Sequence, residues 1–103
     1  MTLSTHVLDT ANGRPAAGVA VTLEFYDEDD GWRYRGQGVT DADGRIADLP
    51  LEETGAHRLV FATAKLSAFF PEVAVAFAVA DPGEHHHVPL LLSPYAYSTY
   101  RGS

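Results

Sequence analysis

The chain has 103 residues, of which 46% are hydrophobic and 20% charged, so we expect one globular domain spanning residues 1–103. These proportions exclude collagen-like, coiled-coil and disordered proteins, and the lack of cysteine excludes disulfides, thiolate catalysis and cysteine-based zinc sites. A formal net charge of −7 disfavours nucleic acids and anionic membranes as partners.

Apolar residues mostly alternate along the chain, which is typical of strands with one buried face. In chain order, the predicted strands are Leu3–Asp9, Val19–Phe25, Trp32–Thr40, Arg45–Leu49, His57–Ala62, Val73–Val79, Val88–Leu92 and Tyr95–Tyr100. Turn dipeptides that tolerate a positive φ, such as Asp43-Gly44, separate several of them. The one helix candidate is Thr63–Phe70, which would have two turns at most and would end at Pro71. The sequence therefore predicts an all-β sandwich of seven or eight strands with at most one short helix.

The predicted strand Val73–Val79 has a second feature, a face of four small residues, Ala74, Ala76, Ala78 and Ala80. Either this face packs tightly inside the sandwich, or another subunit packs against it, since small side chains allow close approach. No apolar stretch is long enough to cross a bilayer, and Met1–Asp9 lacks the pattern of a signal peptide. We therefore expect a cytoplasmic protein without a membrane partner.

Histidines are the main candidates for chemistry, because an imidazole gains and loses a proton near neutral pH. His85, His86 and His87 are consecutive, and on an extended chain the first and third share one face. Three interpretations remain open: a polar loop, a catalytic or ligand-binding imidazole, or a zinc site with a third ligand from elsewhere. Locally, His6 also fits a structural histidine in a strand, and Arg45 fits a solvated arginine at a hairpin end.

The segment Ser93–Ser103 contains three tyrosines, an aromatic density that a frayed terminus normally lacks. We therefore predict that this end of the chain is docked against the domain.

Three segments form a larger pattern that spans nearly the whole chain. They are Leu3–Asp9 continuing to Gly13-Arg14-Pro15-Ala16, then Thr40-Asp41-Ala42-Asp43-Gly44-Arg45, and finally His85–Tyr95 continuing through Ser98 to Tyr100-Arg101-Gly102-Ser103. Together with Pro71-Glu72-Val73, this pattern resembles the 5-hydroxyisourate hydrolases, the transthyretin-like enzymes of urate breakdown. The closing Tyr-Arg-Gly-Ser separates the hydrolases from transthyretin, which shares the fold but lacks this ending and the catalytic histidine and arginine set.

The resemblance implies a transthyretin-like (prealbumin-like) two-sheet sandwich. It also implies hydrolysis of 5-hydroxyisourate to 2-oxo-4-hydroxy-4-carboxy-5-ureidoimidazoline by water attack on a ring acyl C–N bond. The implied catalytic residues are His6, Arg45 and His87, and the implied substrate contacts are His6, Arg45, Tyr100, Arg101 and Ser103. Neither a metal nor another cofactor is implied. A homotetramer is implied, with active sites that open into a central channel between subunits.

The chain departs from the family pattern at two places. His86 stands where a tyrosine is usual, and Phe61–Phe70 is shorter than in relatives, where a longer helix follows the strand. Two other functions remain open: a carrier of small aromatic ligands like transthyretin, and a structural prealbumin-like module of the kind found in adhesins and carboxypeptidases. The sequence does not decide which histidine is the general base.

Overall fold

The computed structural model describes residues 2–103, in which ten strands form two sheets. The strands are β1 Thr2–Asp9, β2 Arg14–Pro15, β3 Ala20–Asp27, β4 Gly31–Val39, β5 Arg45–Pro50, β6 Gly55–Ala62, β7 Glu72–Val79, β8 His86–His87, β9 Leu90–Ser93 and β10 Ala96–Thr99. The predicted all-β sandwich is confirmed. The count exceeds seven or eight because the short β2 was not predicted, and because the chain around Pro89, which has no N–H to donate, forms β8 and β9 separately.

The first sheet is built around β1. This strand pairs antiparallel with β2 and β5 and parallel with β8 and β9, and β10 pairs antiparallel with β9. The second sheet has the order β4-β3-β6-β7, with every pair antiparallel. The parallel pairing of β1 is decisive for the site, because it places residues near 87 beside residues near 4.

Apolar side chains from both sheets fill the space between them. The largest fully buried ones include Leu3, Val7, Val21, Leu23, Leu49, Leu59, Phe61, Val73, Leu90 and Leu92. Burying one such side chain contributes about 1.5–3 kcal/mol. Because successive residues of a strand point to opposite faces, burial of Leu3, Thr5 and Val7 turns Ser4 and His6 outward.

The predicted helix Thr63–Phe70 is wrong, since this segment forms a loop with a single hydrogen-bonded turn. The N–H groups of Leu66 and Ser67 both donate to the Thr63 carbonyl, at 2.9 and 3.0 Å. The Thr63 hydroxyl then donates to the Phe70 carbonyl, and the Ser67 hydroxyl donates to the Pro94 carbonyl at 2.8 Å. Such side-chain bonds to the backbone compete with a continued helix. A helix able to span a membrane is absent from residues 2–103.

The alanine face of β7 does not lie inside the sandwich. Val73, Val75 and Val79 are buried, whereas the four alanines between and after them are exposed. The interpretation as a tightly packed inner face is therefore wrong, and the exposed face lies on a strand at the edge of its sheet.

Candidate active site

Three neighbouring strands place the predicted catalytic residues next to one another. On β1, His6 lies opposite Arg45 of β5, and Ser4 lies opposite His87 of β8. Directly opposite residues on paired strands have Cβ atoms about 5 Å apart in antiparallel sheets. β1, which carries His6, therefore lies between the strand of Arg45 and the strand of His87, and the three residues meet around it.

His6 is held by the turn that precedes β5. Its Nε2 donates to the Asp43 carbonyl at 2.9 Å, so Nε2 carries the hydrogen and Nδ1 is the acceptor nitrogen of the neutral ring. The Asp41 carboxylate fixes the turn by accepting from the N–H groups of Asp43 and Arg45, at 2.9 and 3.0 Å. Gly44 allows the turn because it adopts a φ of 75°.

Arg45 has an exposed side chain that forms no ion pair with any of residues 2–103. Because no carboxylate among those residues is paired with this guanidinium, its N–H donors are available to a ligand. Its planar fork can bind two acceptor oxygens at once. The prediction of a solvated arginine at a hairpin end is right about the exposure of Arg45. It did not include the proximity of Arg45 to His6 and His87.

His87 is half-buried and bonded to Ser4. The Ser4 hydroxyl oxygen lies 2.8 Å from His87 Nδ1 and 2.9 Å from Nε2 of the exposed His85. Burial lowers the pKa of His87, and the positive charge of Arg45 lowers it further. The ring is therefore neutral at pH 7 and can accept a proton.

The C-terminal residues dock on His87, which confirms the expected docked end. The Gly102 N–H donates to the His87 carbonyl at 2.8 Å, and the two residues form an isolated bridge. Beside this contact, the exposed Tyr100 and Arg101 line an open cavity of about 220 Å³ that also touches β7. Arg101 pairs with Glu84 at 3.0 Å on the surface, and Ser103 is exposed at the end.

The other two histidines point into the domain. His86 is 4% exposed and donates from Nδ1 to the Glu84 carbonyl at 2.8 Å. His57 is 1% exposed, lies between the rings of Phe25 and Phe77, and bonds to the Gly55 carbonyl at 3.0 Å. Both are packing residues, so the run of three consecutive histidines divides into two outward rings, on His85 and His87, and one inward ring. The zinc interpretation required a third ligand, and no metal-binding group of three His, Cys, Asp or Glu side chains occurs within residues 2–103.

Two residues of the site were missed by the sequence interpretation, Ser4 and Asp43. The signal for Ser4 was present, since it is two positions before His6 on one predicted strand and shares its face. Asp43 acts through its backbone carbonyl, for which side-chain identity gives no signal.

Comparison with known proteins identifies relatives of this chain. The model of the HIUase/Transthyretin family matches residues 3–102. The 5-hydroxyisourate hydrolase of Salmonella dublin is 49% identical over 110 residues, which cover 98% of this chain and 80% of that protein.

Two solved structures are also similar. The 5-hydroxyisourate hydrolase of Klebsiella pneumoniae has a TM-score of 0.83 and 34% identity, over 99% of this chain and 98% of the other. Sea bream transthyretin, solved with thyroxine, has a TM-score of 0.88 and 33% identity, over 99% and 95%. The chain belongs to the HIUase/transthyretin family.

Proposed function

We propose that this protein is a 5-hydroxyisourate hydrolase of urate degradation. Water attacks a ring acyl C–N bond of the substrate, and the product is 2-oxo-4-hydroxy-4-carboxy-5-ureidoimidazoline. The observation that carries the proposal is the meeting of His6, Arg45 and His87 around β1 with the C-terminal residues docked on the last of them. The relatives named as hydrolases of this substrate support it, at up to 49% identity.

The reaction needs a group that takes a proton from water and returns one to the leaving nitrogen. On the two histidines beside Arg45, Nδ1 of His6 and Nε2 of His87 are the ring nitrogens without a hydrogen bond among the described residues. His6 activates or orients the water, and His87 moves protons or holds the substrate. A positioned acid–base group of this kind contributes about 10²–10⁴-fold to the rate.

Negative charge develops on the substrate carbonyl oxygen when water attacks. Arg45 is the cation beside both histidines, and its guanidinium has no competing carboxylate within the described residues. Preorganised hydrogen-bond donors that face such an oxyanion stabilise the transition state by about 3–4 kcal/mol. Arg45 therefore stabilises the transition state as well as binding the planar substrate.

Tyr100, Arg101 and Ser103 belong to the C-terminal segment that docks on His87 through Gly102, and in the proposed site they contact the substrate. The Tyr100 hydroxyl donates a hydrogen bond to the ring, and Ser103 completes the wall. Arg101 is held on Glu84 by an exposed ion pair, which contributes little and can be exchanged for a substrate oxygen.

The functional particle is a homotetramer, in which neighbouring copies enclose a site that is open in one chain. Two edge strands support this proposal, since β7 and β10 each pair on one side only within residues 2–103. Residues of β7 and the end of β10 line the same cavity, so both edges lie on one side of the sandwich. The exposed rings of Phe69 and Tyr95, at 65% and 80% exposure, add an apolar patch of the kind that subunits cover.

A cytoplasmic location is compatible with a chain that has no cysteine to oxidise.

The test is the decay of freshly made 5-hydroxyisourate, which urate oxidase generates in the cuvette and ultraviolet absorbance follows. The protein should accelerate the decay, and His6→Ala and Arg45→Ala should each slow turnover by about 10²–10⁴-fold. Arg33→Ala is the matched control, because Arg33 is an exposed arginine on β4 of the other sheet. Unchanged rates in both site variants would contradict the assignment. Tight ligand binding without turnover would favour a carrier, and a monomeric particle would favour a structural module.

A further inference from the structure

An unbroken chain of hydrogen bonds leads from His87 to the surface of the protein. Ser4 lies between His87 Nδ1, at 2.8 Å, and His85 Nε2, at 2.9 Å. The Thr2 hydroxyl then lies 3.0 Å from His85 Nδ1. Every group in this chain is an imidazole or a hydroxyl, and both can donate and accept a hydrogen bond. The chain can therefore carry a proton in either direction.

The two ends of this chain differ in their exposure to solvent. His87 is half-buried beneath Gly102 and faces Arg45 and His6, whereas His85 is exposed. Burial and the positive charge of Arg45 lower the pKa of His87, so an imidazolium there is disfavoured. The ring of His85 is exposed to solvent, so a proton that reaches it can leave the protein.

We propose that Ser4 and His85 form a proton relay that lets His87 act first as base and then as acid. When His87 Nε2 takes a proton from the attacking water that His6 orients, the Nδ1 hydrogen passes to Ser4 Oγ and the former hydroxyl hydrogen of Ser4 passes to His85 Nε2. The positive charge then rests on His85, which releases its Nδ1 hydrogen to solvent. The reverse transfer delivers a proton from Nε2 of His87 to the leaving nitrogen and restores the starting tautomers. Ser4 and His85 are thus positioning and relay residues, and this inference rests on the proposed function.

The experiment measures kcat and KM for 5-hydroxyisourate in dilute, weakly accepting buffer, with His85→Gln, Ser4→Ala and Ser4→Thr. Glutamine keeps a donor near Ser4 but cannot carry a proton, and threonine keeps the hydroxyl. We expect His85→Gln and Ser4→Ala to lower kcat by about 100-fold with little change in KM. Added imidazole should restore most of kcat in His85→Gln, and Ser4→Thr should recover most of the loss seen in Ser4→Ala. Thr22→Val, which removes a hydroxyl from the outer face of the second sheet, is the matched control.

Several outcomes would overturn the relay. They are wild-type kcat in His85→Gln, a loss that imidazole does not restore, or an equal loss in Ser4→Thr and Ser4→Ala. If the unaltered protein does not turn over the substrate, the proposed function fails, and nitrogen NMR of the histidine rings decides about the relay. Mutually dependent titration of His85 and His87 that disappears in Ser4→Ala would support it, and independent titration in the unaltered protein would refute it.

Discussion

Gly102 lies against the imidazole of His87 so closely that a Cβ at this position would fall 2.4 Å from the ring carbon Cδ2. Real Cβ atoms do not approach that near, so any other residue here must displace either the ring or the C-terminal residues. The glycine of the closing Tyr-Arg-Gly-Ser motif is thus explained by packing, and it couples the end of the chain to the proposed proton acceptor.

We predict that Gly102→Ala lowers kcat/KM for 5-hydroxyisourate by about 100-fold, the usual effect of displacing a catalytic group by about 1 Å. The thermal midpoint should change little, because Gly102 lies outside the apolar core. Activity and thermal unfolding measured on the same sample provide the check. Full activity in this variant would show that the contact with His87 is dispensable.

Gly44 should be required for stability as well as for activity. It adopts a φ of 75°, and a Cβ there would lie 2.5 Å from the Val7 carbonyl oxygen. Gly44→Ala should therefore cost about 1–3 kcal/mol of unfolding free energy and disturb the Asp43 carbonyl that holds His6. Gly13→Ala is the matched control, since Gly13 has a φ of 67° but a Cβ added there would meet no other atom within 4 Å. Equal losses in urea unfolding would mean that backbone conformation alone, and not the close contact, sets the cost.

Acid should destabilise the protein below about pH 6.5. Burial lowers the pKa of both His57 and His87, so the unfolded chain binds protons at a higher pH than the folded one. Stability is therefore lost as the pH falls from about 6.5 through the lower folded values, with a slope of up to about 1.4 kcal/mol per pH unit for each proton.

His57→Gln should flatten this dependence, because glutamine can replace the bond to the Gly55 carbonyl but does not titrate. The measurement is urea unfolding at several pH values and one protein concentration. An unchanged slope between pH 7 and pH 5 would exclude His57 as a source of the acid sensitivity.

The edge strand β7 should be needed for assembly. Ala76 lies on its exposed face and lines the cavity shared with the C-terminal residues. Ala76→Lys places a solvated charge where a second copy would approach, and lysine on an edge strand opposes pairing between chains. Light scattering should show a smaller particle than for the unaltered protein. Val39→Lys, at an exposed position of the edge strand β4 in the same sheet, should leave the mass unchanged, and a fall in both variants would argue against β7 as the interface.

The alternation of apolar and polar residues predicted the strands well, because successive residues of a strand point to the buried and the exposed face in turn. It placed His6 within a strand and Arg45 at the start of another, and the resemblance to a family supplied their roles. The register that sets His6 opposite Arg45 and Ser4 opposite His87 depends on pairing between distant segments, which no local pattern encodes. For the same reason the alternation on β7 could not tell an inner alanine face from an outer one. The failed helix at Thr63–Phe70 shows side-chain hydrogen bonds overriding a short helical propensity.

The pairing of β1 with β8 and β9 also determines when activity can arise. The Thr5 hydroxyl donates to the Val88 carbonyl, and the two residues are 83 positions apart, so β1 and β8 can meet only after residues 2–88 have been synthesised. Contacts between such distant segments slow folding. A nascent fragment that ends before β8 can thus bury parts of its second sheet early, but it lacks His87 and the C-terminal segment that docks on it.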